Sequence, residues 1–227
     1  MDFSKAFAGV EGNVVRVEAD LGGGRSSVGT GVVLSDGKQC LTCAHVIPGF
    51  AVAVSVMFVT GARYAVSVTD RDDALDLAIL DTSRIRSSGV SIATRRAIVG
   101  EECFFVGYPM SVDSITAGGA HVAGFFQNGA QYRLDASVNQ GNSGGPLFNA
   151  DGALLGTITA KHGSLSQFLQ AVRNHKSIAS MSIGGLDPVV AIKQLISEME
   201  RNLNLGIGYA IPIDVAIAWC PSIRASP

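Results

Sequence analysis

The sequence predicts an all-β protein made of many short antiparallel strands, and three observations lead to that fold class. Short apolar or alternating runs recur along the chain, and turn residues separate them. Glycine provides 27 of the 227 residues, whereas charged residues make up only 16%. A chain of this length can also bury a substantial core. The expected strands are Asn13–Glu18, Gly31–Leu34, Val52–Thr60, Tyr64–Val68, Leu77–Leu80, Cys103–Val106, His121–Phe126, Gln131–Leu134, Leu154–Ala160 and Gly208–Pro212.

The uncharged stretch at residues 39–62 could form either a membrane-spanning helix or a strand, because it is long enough to span a membrane. Pro48-Gly49 interrupts it, and the β-branched residues of Ala51–Val56 are typical of a strand. Strand is therefore the better interpretation, and we expect no membrane segment.

One region departs from the strand pattern. Between residues 187 and 203, apolar side chains recur at helical spacing after Asp187-Pro188, which offers an N-cap and a first-turn proline. A weaker helical pattern covers residues 166–178. We expect both helices in an insert at about residues 163–204, packed on the second half of the chain. The alternatives are a lid over the cleft, or a homo-oligomer contact through the 187–203 helix. A short C-terminal helix is also expected.

The most informative motif is Gly141-Asn142-Ser143-Gly144-Gly145-Pro146. A serine hydroxyl attacks a carbonyl only with help from a base and from fixed donors for the developing negative charge. Glycine has no Cβ, so the N–H of Gly141 can approach a substrate carbonyl closely, beside the N–H of Ser143. We predict that Ser143 is the nucleophile and that Gly141, Asn142 and Ser143 form an oxyanion hole.

Two upstream motifs supply a base and a carboxylate. His45 ends the apolar run that starts at Leu41, and Asp76 directly precedes the apolar run Leu77–Leu80. Asp72 and Asp73 are competing carboxylates. They lie in a predicted Arg71-Asp72-Asp73 turn, where solvated loop charge is expected, so Asp76 is the preferred partner of His45.

Together these motifs resemble those of the trypsin-like serine proteases, which have the chymotrypsin fold. Thr-x-Ala-His, Asp-Leu-Ala-Ile-Leu and Gly-Asn-Ser-Gly-Gly-Pro follow one another in the order His, Asp, Ser. Asn142, Val106-Gly107-Tyr108-Pro109, Leu134-Asp135-Ala136 and Gly206–Pro212 are similar to the HtrA/Deg-like branch, although no PDZ domain is expected here. The similarity covers about residues 27–160 and 205–218.

The resemblance implies two packed six-stranded antiparallel β-barrels, one at residues 1–97 and one at residues 98–227 that contains the insert. It implies a serine endopeptidase that acts on a peptide or protein without a cofactor or metal. Ser143 would attack the scissile carbonyl and form an acyl-enzyme. His45 would accept the proton and later protonate the leaving amine, while Asp76 would orient the imidazole.

Two alternatives to a peptidase stay open. The first is a binding or scaffold protein that keeps the protease fold but turns over little. The second is an α/β-hydrolase esterase, because Gly141–Gly145 also matches the G-x-S-x-G nucleophile elbow. The elbow requires a helix directly after the serine and then Asp and His later in the chain, and the Gly-Gly-Pro sequence disfavours such a helix.

The sequence says less about which substrate is selected. In trypsin, an aspartate six residues before the nucleophile selects basic side chains. Here that position is Ser137, so cleavage after Lys or Arg is not expected. Thr159, Ala160 and Lys161 are expected to pair with extended substrate and to border a modest apolar pocket. Asn142 replaces the acidic residue that would accept a new N-terminal amine, so trypsin-like zymogen activation is not expected.

Charge and cysteine content bear on partners and compartment. The formal net charge is −2 and no basic cluster is present, so neither nucleic acid nor a membrane surface is expected as a partner. Cys40 and Cys43 have C-x-x-C spacing, but residues three apart on a strand face opposite sides, so no zinc site is expected. We expect free thiols and a cytoplasmic protein without a signal peptide. The alternative is a periplasmic or secreted protein whose leader is absent from this chain.

Overall fold

The computed structural model describes residues 2–109, 114–159, 190, 192–195 and 206–223, and their strands form two antiparallel sheets. The first sheet contains β1 Val14–Gly22, β2 Arg25–Val33, β3 Gln39–Thr42, β4 Ala53–Met57, β5 Arg63–Val66, β6 Val68–Asp72 and β7 Leu77–Asp81. The second contains β8 Glu102–Gly107, β9 Thr116–Phe126, β10 Gln131–Asp135, β11 Pro146–Asn149, β12 Leu154–Thr159 and β13 Ile207–Pro212.

The first sheet has seven strands in the order β5-β4-β1-β2-β3-β7-β6. Its two edge strands, β5 and β6, are consecutive in the chain and only Ser67 separates them. The Ser67 carbonyl accepts a hydrogen bond from the Asp81 N–H of β7 at 2.9 Å. The two edges of the sheet must therefore meet at Ser67, and β5 and β6 together correspond to one bent strand of the expected six-stranded barrel.

The second sheet closes fully, in the order β10-β13-β12-β11-β8-β9. The predicted all-β fold with two barrel-like halves is thus confirmed. The detail that differs is the first half, whose seven strands close through the chain at Ser67 rather than through hydrogen bonds between β5 and β6.

Among the residues that the structure describes, buried hydrophobic side chains form three cores. One lies on the inner side of the first sheet and includes Val17 and Leu80. Another lies inside the second barrel and includes Leu134 and Ile158. The third takes residues from both sheets and joins them. This shared core contains Val14, Val32, Leu41, Leu77, Ile79, Phe104, Val106, Phe148, Leu154 and Ile211.

Strand β7 shows how the shared core constrains the sequence. Leu77 and Ile79 belong to the shared core, whereas Ala78 and Leu80 belong to the core of the first sheet. Both faces of the strand are buried, which explains why its sequence is continuously apolar rather than alternating. The burial also holds Asp76, the residue before the strand, at the junction of the two sheets.

Strand β6 corrects the sequence-based interpretation. Arg71 and Asp72 were expected in a turn, but they end β6 and pair with Ala78 and Leu77 of β7. The strand was missed because it lies at the sheet edge and is largely exposed, so it carries no hydrophobic alternation.

Two helices pack on the shared core. The N-terminal helix α1, Ser4–Val10, was not predicted, and it buries Val10 while the preceding Phe3 stacks on Phe104 with ring centroids 4.9 Å apart. The expected short C-terminal helix is α2, Ile213–Trp219. Its residues Ile213 and Ala216 reach the same core.

The chain crosses from the first sheet to the second within a few residues. Val90 forms a parallel bridge with Leu34, which follows β2, and Ile92 forms one with Leu154 of β12. The boundary at residues 97 and 98 stays a prediction.

The predicted insert corresponds to a separate compact unit, His162–Leu205. Val190 and residues 192–195 are helical, as expected for the 187–203 helix. The Asp187-Pro188 start, the 166–178 helix and most of the insert lie outside the described residues. Among the described residues, we find no helix with both the length and the apolar character needed to cross a membrane.

The four cysteines are free and buried. Cys40 and Cys43 were expected on opposite faces of a strand, but both belong to the core of the first sheet. The expectation was wrong because β3 ends at Thr42 and Cys43 begins a 3₁₀ turn. Burial raises the pKa of Cys40 and of Cys103 to about 12.

We expect the native protein to react slowly with Ellman's reagent, since a neutral buried thiol is a poor nucleophile. Four thiols should become reactive after unfolding in guanidinium without reductant. Absorbance of the released thionitrobenzoate measures both reactions. Fewer than four reactive thiols after unfolding would show that a disulfide is present.

Candidate active site

His45 and Asp76 form a hydrogen-bonded pair. His45 lies in the 3₁₀ turn Ala44–Val46 that follows β3, and Asp76 ends the turn before β7. The Nδ1 of His45 lies 2.9 Å from Oδ1 and 2.8 Å from Oδ2 of Asp76. The backbone N–H of His45 also donates to Oδ1 at 3.0 Å. Asp76 has a φ of 58°, a left-handed conformation that is uncommon outside glycine and is often found at functional sites.

The electrostatics of this pair decide the tautomer of the imidazole. Burial tends to raise the pKa of Asp76, but hydrogen bonds from His45 and Thr159 outweigh it and the pKa lies below its usual value. The carboxylate is therefore ionised near neutral pH and can only accept hydrogen bonds. Nδ1 must carry the proton, which leaves the lone pair of Nε2 free to act as a base.

Thr159 and Cys43 complete the surroundings of Asp76. The hydroxyl of Thr159 donates to Oδ2 of Asp76 at 2.7 Å, although we predicted this residue as a substrate contact. Only its backbone is left to pair with substrate. The Cys43 thiol donates to the Ile158 carbonyl at 3.3 Å. Its pKa is raised well above the usual value, first by burial and then by the nearby Asp76 carboxylate.

The competing carboxylates serve local structure. Asp72 accepts hydrogen bonds from the N–H groups of Ala74 and Leu75, at 2.8 and 2.9 Å. Asp73 pairs with Arg71, and its side chain is 75% exposed. These contacts account for both carboxylates where β6 ends and the next turn begins.

The turn that carries the predicted nucleophile, residues 141–145, is named the nucleophile turn; it lies just before β11 and is buried against the first sheet. Ser143 is only 9% exposed, and its carbonyl accepts a hydrogen bond from the N–H of Thr30 at 2.9 Å. Gly144 packs so closely on Thr30, Thr42 and Cys43 that a Cβ there would overlap their atoms. The turn therefore lies against the end of β3, directly before His45.

Backbone donors are available in this turn. Within the described part of the chain, the N–H groups of Gly141 and Ser143 have no hydrogen-bond acceptor. The N–H of Asn142 donates to the Asn139 carbonyl at 3.1 Å. Two of the three predicted oxyanion-hole residues thus offer a free donor, and Asn142 shapes the turn instead.

No hydrogen bond joins Ser143 to His45 among the described residues. Nucleophile–base contacts are often long in a free enzyme and shorten when substrate binds. The side chain of His45 is 44% exposed, so the imidazole is open to solvent and substrate.

The predicted specificity residues are only partly described. Ser137 is exposed between the buried Ala136 and Val138. Val138 packs on Gly208 of β13 so tightly that a Cβ at Gly208 would lie 2.6 Å from it. Ala160 and Lys161 lie outside the described residues.

The ligand atoms of Cys43, His45 and Asp76 lie within 4.8 Å of one another, which is the spacing of a metal site. A cysteine binds metal as its thiolate. Burial and Asp76 oppose that form of Cys43, and Asp76 already engages Nδ1 of His45. The hydrogen-bonded pair accounts for these residues better than a metal centre does.

Comparison with known families identifies the family of this chain. The model of the trypsin-like peptidase domain matches residues 29–156, which is more than half of the chain. The chain belongs to the trypsin-like peptidase family. The family match includes His45, Asp76 and Ser143.

Individual relatives of this trypsin-like chain agree with the family. The magnetosome formation protease MamE of Magnetospirillum gryphiswaldense is 29% identical over 87% of this chain and 28% of its own length. The serine endoprotease DegS of Haemophilus influenzae is 29% identical over 84% of this chain and 48% of its own length. The chain thus spans about a quarter to a half of these relatives.

A solved structure supports the same fold. The serine endoprotease from Yersinia pestis superposes with a TM-score of 0.71 at 23% identity, over 98% of this chain and 66% of that chain. At this level of identity the similarity establishes the trypsin-like fold alone.

Sequence reasoning missed the roles of three residues around the candidate site. Thr30 contacts the nucleophile turn, Thr159 donates to Asp76, and Cys43 lies beside Asp76. No local pattern marks Thr30 or Thr159, because each acts across a distance of more than 80 residues along the chain. Only the position of Cys43, two residues before His45, could have drawn attention to it.

We expect Gly144→Ala to destabilise the fold strongly, by about 2 kcal/mol or more. Gly144 has a φ of +83°, and an added Cβ would lie 2.2 Å from both the Thr30 carbonyl oxygen and the Thr42 hydroxyl. Thermal melting measures the effect. Gly124→Ala is the control, because a Cβ at Gly124 meets nothing within 4 Å. Equal melting temperatures for the two variants would contradict this close packing.

Proposed function

We propose that this chain is a serine endopeptidase that works through Ser143, His45 and Asp76 and forms an acyl-enzyme. One observation carries the proposal. The Nδ1 of His45 is bonded to an ionised Asp76 at 2.8 Å, beside a serine turn in which two backbone N–H groups are free. This combination supplies a base, an orienting carboxylate and oxyanion donors in one place.

The chemistry follows from the proton positions. Ser143 Oγ attacks the scissile carbonyl carbon while Nε2 of His45 takes its proton. Asp76 stabilises the imidazolium that results. The N–H groups of Gly141 and Ser143 hold the negative oxygen of the tetrahedral intermediate. His45 then protonates the leaving amine, the C–N bond breaks, and water repeats the sequence to release the acyl group from Ser143.

We further propose a peptide or protein substrate bound in extended form. The names of MamE and DegS as protease and endoprotease support this substrate class. Ser137 carries no charge, and Val138 packs against Gly208 nearby. A small apolar side chain therefore suits the residue before the scissile bond better than Lys or Arg does.

A fluorophosphonate probe separates this function from a scaffold role. The wild-type protein should become covalently labelled, while Ser143→Ala should remain unlabelled, as measured by mass spectrometry of the intact protein. Sequencing the products of a peptide library then defines the preferred side chains. A folded wild-type protein that neither reacts with the probe nor cleaves any peptide would be a scaffold with the protease fold.

Two further proposals concern the cellular compartment and the oligomeric state. The four free, buried cysteines support a reducing compartment such as the cytoplasm.

The 187–203 helix is proposed as a contact between two copies of the chain. Val190, Ile192 and Leu195 support this role, since all three are exposed on that helix. Sedimentation before and after replacing residues 163–204 with a Gly/Ser linker tests it, and an unchanged assembly state would contradict it.

A further inference from the structure

Thr30 of β2 connects the first sheet to the nucleophile turn of the second barrel through its N–H and its hydroxyl, and its carbonyl bonds within the first sheet. Its N–H donates to the Ser143 carbonyl at 2.9 Å, and its hydroxyl donates to the Gly141 carbonyl at 2.6 Å. The same hydroxyl accepts the N–H of Tyr108 at 2.9 Å. Its carbonyl accepts the hydroxyl of Thr42 at 2.6 Å. Thr30 is completely buried, so all these bonds lie away from water.

We propose that Thr30 is a positioning residue for the oxyanion hole. The two carbonyls that it holds belong to Gly141 and Ser143, which are also the two residues with free N–H groups. Holding each carbonyl restrains the Cα of the same residue. The positions of both amide donors are thereby set from the first sheet. This role rests on the proposed function, because an oxyanion hole matters only to a peptidase that forms a tetrahedral intermediate.

The expected effect follows from how sharply catalysis depends on position. Oxyanion donors must lie within about 2.7–3.1 Å of the developing charge. A displacement of about 1 Å from a change outside the reacting groups can cost about 10²-fold in rate. Removing the Thr30 hydroxyl frees the Gly141 carbonyl, and it leaves that carbonyl and the Tyr108 N–H buried without partners. Both consequences allow the nucleophile turn, and with it the two N–H donors, to move.

Thr157 offers a matched control for the loss of a buried threonine hydroxyl. It is 1% exposed in β12, and its hydroxyl has no partner among the described residues. Thr157→Val therefore makes the same chemical change as Thr30→Val at equal burial, without breaking a hydrogen bond. Thr30→Ser and Thr30→Ala form a second matched pair, because both lose the threonine methyl group and only Thr30→Ala also loses the hydroxyl.

The test compares kcat, KM and the rate of fluorophosphonate labelling in the wild-type protein and these four variants. All rates are normalised to the folded fraction from circular dichroism. We expect Thr30→Val and Thr30→Ala to lower kcat and the labelling rate by about 10²-fold with little change in KM. Thr30→Ser and Thr157→Val should stay close to wild type.

Three outcomes would overturn this role. If Thr30→Val matches Thr157→Val in kcat while the wild type is active, the hydroxyl does not position the turn. If neither Thr30→Val nor Thr30→Ala folds at any temperature, Thr30 is needed for folding instead. If the folded wild type is neither active nor labelled, the proposed function itself fails and the role fails with it.

Discussion

Replacing Ser143 with alanine is expected to lower kcat for peptide cleavage by about 10⁴–10⁶-fold, the range seen when a triad member is removed. The hydroxyl is the proposed attacking group, and alanine leaves the peptide without a nucleophile in the site. The fold should survive, because the contact that holds this residue is made by its backbone carbonyl to Thr30 rather than by its side chain. Steady-state kinetics and thermal melting measure the two effects separately.

His45→Ala provides the internal comparison. It should lose about as much activity as Ser143→Ala, and the double variant should lose little more, because the residues act as a unit. Additive losses would indicate that His45 and Ser143 serve different steps. Full activity in Ser143→Ala would contradict the serine peptidase proposal directly.

Asp76→Asn is expected to lower kcat by about 10⁴-fold, because the amide can donate to Nδ1 and favour the wrong imidazole tautomer. Asparagine tolerates the left-handed φ of 58° as well as aspartate does, so the backbone should not be strained. Asp73→Asn makes the same chemical change three residues away. Asp73 is exposed and paired with Arg71, so this control should keep wild-type kcat.

The same variant tests the pH dependence of stability. Burial raises the pKa of Asp76, but the hydrogen bonds from His45 and Thr159 outweigh it and leave the pKa below its usual 3.8. A carboxyl whose pKa is depressed in the folded state stabilises the fold above its unfolded pKa. That contribution is lost as the pH falls through the folded pKa.

Melting temperatures measured from pH 3 to pH 8 check this expectation. The wild type should be more stable than Asp76→Asn at neutral pH, and the ionised Asp76 carboxylate should maintain this advantage down to about pH 5. It should shrink only below about pH 4. A stability difference that grows between about pH 5 and pH 3 would show that the carboxylate is not favoured in the folded state.

The order and identity of the site motifs could be predicted from the sequence, because each lies beside an element with a clear local pattern. Asp76 precedes an apolar strand that is buried on both faces, and the Gly-Asn-Ser-Gly-Gly-Pro turn places a serine among glycines whose backbone can approach a carbonyl closely. The choice of Asp76 over Asp72 and Asp73 rested on that pattern. The hydrogen bond between His45 and Asp76 agrees with it.

Elements without hydrophobic alternation could not be predicted in the same way. Strand β6 is mostly exposed, and its last two residues, Arg71 and Asp72, were expected in a turn. Helix α1 is only seven residues long and has a single buried residue, Val10, so helical periodicity could not reveal it. In both cases pairing or packing with distant residues decides the structure.

The sequence by itself determined the all-β fold, the positions of His45, Asp76 and Ser143, and the presence of free donors in a glycine-rich turn, because these depend on local spacing and residue type. Only the tertiary structure decided that Thr159 binds Asp76 through its hydroxyl and that Thr30 holds the nucleophile turn. Each of these hydrogen bonds joins residues at least 83 positions apart, between the two sheets. Such contacts follow from the shared core that joins the sheets, which no local pattern encodes.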